Sequence, residues 1–65
     1  MLARNIKKLR KRYDLSQEEL ARKAGITYST MIKIESGANK NPTLETLIRL
    51  SKALNSTIDE IISQK

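Results

Sequence analysis

Between Gly25 and Gly37 the chain reads ITYSTMIKIES, and its side chains are hard to assign to one core. Wound as a helix at about 100° per residue, Met31 and Ile34 share a side with Thr27. Tyr28, Ser29, Ile32, Lys33 and Ser36 gather on the other. A phenol, two hydroxyls, an ammonium and a branched apolar side chain form a surface for hydrogen bonding and methyl contact. The sequence contains no cysteine or histidine. That excludes disulfides, thiolate or imidazole metal sites and Cys/His nucleophile pairs, so neither metal nor cofactor is expected. Ser–Lys or paired-carboxylate chemistry is conceivable, but 65 residues offer little to desolvate such groups. The chemistry these residues offer is recognition, not catalysis.

Length and charge narrow the class of partner. Sixty-five residues allow one domain, 1–65, and 38% hydrophobic content supports a folded chain. No apolar run approaches the roughly 18–20 residues of a membrane span. The N-terminus lacks a signal-peptide core, so a cytoplasmic protein is expected. The net charge of +6 is carried unevenly. Residues 1–40 hold ten Lys/Arg against four Asp/Glu, whereas residues 41–65 hold three of each. Such asymmetry points to a polyanion, either nucleic acid or an anionic membrane.

Five helical segments and no strand are predicted. The first, Leu2 to Tyr13, places Leu2, Ile6, Leu9 and Tyr13 on one face and basic residues on the others. The second opens on the capping box Ser16–Glu19 and closes at Gly25, in the left-handed conformation that glycine adopts freely. The third is capped by Thr27. The fourth starts near Pro42, with Asn41 or Thr43 as its cap, and turns Leu44, Leu47, Leu50, Ser51 and Leu54 to one side. The fifth opens on a second capping box, Thr57–Glu60, and carries Ile58, Ile61 and Ile62. Two short helices joined by a tight turn at Gly25–Ile26, with Leu15, Leu20, Ile26, Met31 and Ile34 between them, make a helix-turn-helix over about residues 16–36. The second helix of such a unit enters a DNA major groove.

At Gln17, Leu20, Ala21, Gly25, Ile26, Met31, Ile34, Glu35 and Gly37 the chain closely resembles the phage-repressor and Cro family, the XRE-type or lambda-repressor-like regulators. The likeness continues through NPTLETLIRLSKAL and STIDEII, over essentially the whole length. It implies an all-α, five-helix domain that binds double-stranded DNA and regulates transcription, as a repressor on a pseudo-palindromic operator. It implies that Tyr28, Ser29 and Lys33 read bases, with Ile32 beside them. Lys33 can donate to guanine O6/N7, Ser29 suits several base edges, and Ile32 suits a thymine methyl. On the residues alone, this is equally a solvated helix face, and Tyr28 could be partly buried on the second helix.

The same resemblance assigns phosphate contacts to Gln17, Thr27 and Thr30, and to the loop residues Ser36, Asn39, Lys40 and Asn41. It pairs Arg10 with Glu35, so that Arg10 braces the third helix and faces a phosphate. Without it, Gln17 reads as an exposed helix residue and Arg10 and Glu35 as unrelated charges, or as an exposed pair contributing about 0–1 kcal/mol. Ile58 and Ile62 are either core residues or the interface of a homodimer, which would set two recognition helices roughly 34 Å apart. Two other classes stay open. One is an antitoxin-type module that binds a protein partner and regulates its own promoter. The other is membrane-surface binding by the basic first helix, which needs its apolar residues for the core.

Overall fold

Ser16, Thr27, Thr43 and Thr57 each accept a hydrogen bond from the backbone N–H three residues on, at 3.0–3.2 Å, and each starts a helix. The computed structural model describes residues 2–63; Met1, Gln64 and Lys65, the ends of the domain expected over 1–65, lie outside the described residues. The helices are α1 (Leu2–Arg12), α2 (Gln17–Ala24), α3 (Tyr28–Ser36), α4 (Leu44–Ala53) and α5 (Ile58–Ile62). Among the described residues there is no strand, and no helix is long and apolar enough to cross a membrane. Both expected capping boxes form. The cap of α4 is Thr43, not Asn41, so Pro42 precedes the helix and does not occupy its first turn.

The capping box at α2 carries a pH signature. The Ser16 backbone N–H donates to the Glu19 carboxylate at 2.8 Å. That bond, followed by the Ser16 hydroxyl, holds the Glu19 pKa below its ordinary 4.5. The folded value is the lower one, so this stabilisation is complete above the ordinary pKa and disappears as pH falls through the folded one. The denaturation midpoint is therefore expected to fall as pH drops below 4.5, and less steeply in Glu19→Ala. Equal acid slopes for the two proteins would contradict this.

One apolar core joins the helices. Ile6 and Leu9 of α1, Leu20, Ala21 and Ala24 of α2, Met31 and Ile34 of α3, Leu50 and Ala53 of α4, then Leu54 and Ile61, are all buried. α3 lies between α1 and α2, while α4 packs on α2 and α5. The short α5 is also tied to α1, where the Asn5 amide donates to the Ile61 carbonyl at 3.1 Å. Two apolar residues fall outside the expected faces. α1 ends at Arg12, so Tyr13 lies in an exposed turn with Asp14 at φ 56°. Leu44 is 65% exposed because it occupies the first position of α4, one turn before the residues that meet the core.

Gly25 fixes the angle between α2 and α3. It sits at φ 74°, donates to the Arg22 carbonyl at 3.2 Å, and lets Ile26 N–H reach the Ala21 carbonyl at 3.0 Å. This is the Schellman closure of a helix. A Cβ here would stand 2.8 Å from Arg49 Nη1, the far end of a half-exposed side chain that can move aside, so it is the left-handed backbone that opposes any other residue.

Candidate nucleic-acid interface

The α2–turn–α3 unit turns one side of α3 inward and leaves the other free. Met31, Ile34 and Glu35 are buried. Tyr28 and Ile32 are 49% and 39% exposed, and Ser29 and Lys33 are exposed between them. Tyr28 thus keeps half its surface open, and the four candidate base-reading residues share one continuous outer face. Ile32 belongs to that face and not to the core.

Behind the face, a carboxylate is held by three donors. Arg10 Nε and Nη2 reach Glu35 Oε2 and Oε1 at 2.6 and 3.1 Å, a bidentate pair. Gln17 Nε2 donates to Glu35 Oε1 at 3.1 Å, and Arg10 Nη1 donates to the Leu15 carbonyl at 2.8 Å. The Glu35 side chain is 1% exposed and that of Arg10 13%, so the pair is internal and not the exposed one considered from sequence. This cluster binds the C-terminal part of α1, the entry to α2 and the inner side of α3 at one point.

The expected phosphate-contacting residues divide by how much of their chemistry the fold already uses. Gln17 is half-buried, with its amide turned to Glu35. Thr27 and Thr30 hydroxyls lie 2.8 Å apart at the start of α3. Ser36 donates to the Lys33 carbonyl at 3.2 Å and accepts from Ala38 N–H at 3.3 Å. Asn39 accepts from Asn41 N–H at 3.1 Å, while its own N–H reaches the Lys33 carbonyl at 2.9 Å. These bonds shape the loop after Gly37 and leave Lys40 and Asn41 exposed.

The sequence profile of the helix-turn-helix family matches residues 6–61. The chain belongs to this family. The helix-turn-helix protein is 37% identical over 65 residues to the control protein C.SmaI of Serratia marcescens, covering 100% of this chain and 76% of that one. The solved N-terminal DNA binding domain of SinR from Bacillus subtilis superposes with a TM-score of 0.95 at 32% identity, covering 100% of this chain and 94% of that one. A crystal structure of SinR, the master regulator for biofilm formation, in complex with DNA superposes with a TM-score of 0.93 at 32% identity, covering 97% of this chain and all of that one.

One partnership in this helix-turn-helix protein is missing from the sequence reading: the Gln17–Glu35 bond. A signal for it exists. Glu35 follows Ile34 on the inner side of α3, and a carboxylate in a buried position needs several donors. Arg10 alone does not exhaust its two oxygens. The two interface candidates on α5 lie apart from the reading face: Ile58 is half-buried and Ile62 is 45% exposed. Ile62 borders a groove of about 600 Å³ with Leu2, Leu47 and Pro42.

Proposed function

We propose that this helix-turn-helix protein is a transcriptional repressor that binds a specific double-stranded DNA site with α3 in the major groove. The observation that carries the reading is the exposed face Tyr28–Ser29–Ile32–Lys33 on a helix whose opposite side is locked by Met31, Ile34 and the Arg10–Glu35 pair. It is supported by the relatives, one named a control protein and one solved as a DNA binding domain and in complex with DNA. In this reading Gln17, Thr27, Thr30, Ser36, Asn39, Lys40 and Asn41 hold the backbone, and Arg10 acts mainly by bracing α3. A homodimer through Ile58 and Ile62 presents two copies of α3 to a pseudo-palindromic site, in the cytoplasm.

In-vitro selection of bound duplexes tests this directly. A single enriched, two-fold symmetric site is expected; recovery of random sequence would refute specific recognition, and an asymmetric site would refute the dimer. On the selected site, Lys33→Ala is expected to cost about 1–3 kcal/mol and to relax preference at one base position. Binding measured against single-base variants of the site distinguishes this from a uniform loss, which would make Lys33 a phosphate contact.

A further inference from the structure

The cations of this protein are concentrated away from its reading face. α3 has one lysine, Lys33, and α2 balances Arg22 and Lys23 against Glu18 and Glu19. By contrast α1, LARNIKKLRKR, has no acidic residue. Its Arg4, Lys7, Lys8, Lys11 and Arg12 are all exposed. Among the described residues the ion pairs are Arg10–Glu35 and Arg49–Glu45, so none of these five is paired. Lys8 and Arg12 border a groove shared with Asp59 and Glu60 of α5, which offsets them. Arg4, Lys7 and Lys11 have no such neighbours on α1.

This arrangement is unfavourable for the helix itself. Lys7–Lys11 is a like-charge pair at i,i+4 and Arg4–Lys7 at i,i+3, each destabilising. Arg4 also lies in the first turn, where the helix dipole disfavours a cation. A polyanion would relieve all three. Arg4 to Lys11 spans about 10 Å of helix axis, the axial length of about three phosphates on one DNA strand. The buried residues Ile6 and Leu9 face α3 and α5, so this ridge lies on the opposite side of α1, turned away from α3.

We propose that Arg4, Lys7 and Lys11 form a second, sequence-independent site for the phosphate backbone of another duplex segment, so that the bound protein bridges two stretches of DNA. The proposal rests on the DNA-binding reading above. Three phosphates neutralised per protomer make capture of the second duplex fall about 40-fold between 50 and 200 mM salt.

The test immobilises the selected duplex, loads it with protein, and offers a labelled random-sequence duplex. The parent protein is expected to capture it. Arg4→Gln/Lys7→Gln/Lys11→Gln is expected to lose capture at least tenfold, while loading onto the first duplex is unchanged and the thermal melt is the same or slightly higher, because the like-charge pairs are gone. Arg4→Lys/Lys7→Arg/Lys11→Arg keeps the charges and is expected to keep capture. Undiminished capture by the glutamine variant overturns the proposal. So does loss of loading in that variant, which would place the ridge on the first duplex. Binding of the parent to phosphatidylserine vesicles with no second duplex captured would make the ridge a lipid site. Failure of the parent to load overturns the DNA-binding reading itself, and is seen before the second duplex is added.

Discussion

Glu35→Ala is expected to lower stability by about 3–5 kcal/mol, the loss typical when one partner of a buried ion pair is removed. The size follows from what is left behind. Arg10 Nε and Nη2 lose both oxygens that they bind at 2.6 and 3.1 Å, and Gln17 loses the acceptor of its amide. The Arg10 side chain is only 13% exposed, so water replaces those oxygens poorly. A chain of 65 residues has a total stability of roughly 3–10 kcal/mol. The variant should therefore sit close to its unfolding threshold, with a melting temperature at least about 12 °C lower. Thermal and urea denaturation measure this. A change of two or three degrees would mean that the carboxylate is replaceable by solvent.

A control separates the charge from the packing. Buried ion pairs are often replaced without loss by apolar residues of similar volume. Arg10→Met/Glu35→Leu is accordingly expected to be more stable than Glu35→Ala. It should not recover DNA affinity in full, because Gln17 still lacks its acceptor.

The helix order was legible because each boundary has a local chemical cause. Ser16 with Glu19 and Thr57 with Glu60 write their capping boxes into four consecutive residues, and Gly25 and Gly37 mark the left-handed positions that close α2 and α3. Boundaries that depend on tertiary contact were not legible. Tyr13 fits the apolar period of α1, but the chain turns at Asp14 to bring Leu15 against Arg10. Leu44 fits the period of α4, but no neighbouring helix covers its first position.

The same distinction applies to the candidate site. The division of α3 into an inner side with Met31 and Ile34 and an outer side with Tyr28, Ser29, Ile32, Lys33 and Ser36 follows from spacing alone and holds in the structure. Thr27, grouped with the inner side, is instead an exposed cap, and Glu35 is buried. The Gln17–Glu35 bond joins residues 18 apart in the chain. It depends on how closely α2 and α3 cross, which no local pattern encodes.

Raising the salt from 50 to 200 mM is expected to weaken specific binding about 150-fold, and the structure sets that number. The Arg10 charge is offset internally by Glu35, and Arg22 and Lys23 have Glu18 and Glu19 beside them on α2. Lys33, at a base edge inside the groove, and Lys40, on the backbone, remain as the exposed cations of the proposed interface, and both displace counterions, so a two-fold dimer brings four to the duplex. Counterion release then gives a slope of log affinity against log salt near −3.6, using about 0.9 per cation. Lys40→Ala should flatten the slope to near −1.8 at a symmetric site. Gln17→Ala should leave it unchanged and weaken all sites alike, since a neutral amide displaces no counterion. An affinity indifferent to salt would mean that neither Lys33 nor Lys40 displaces counterions from the duplex. A slope steeper than about −6 that returns to near −3.6 in Arg4→Gln/Lys7→Gln/Lys11→Gln would be equally informative in the other direction, because it assigns the excess to the α1 cations. They would then be engaging the same duplex as α3 and would be unavailable to bridge a second.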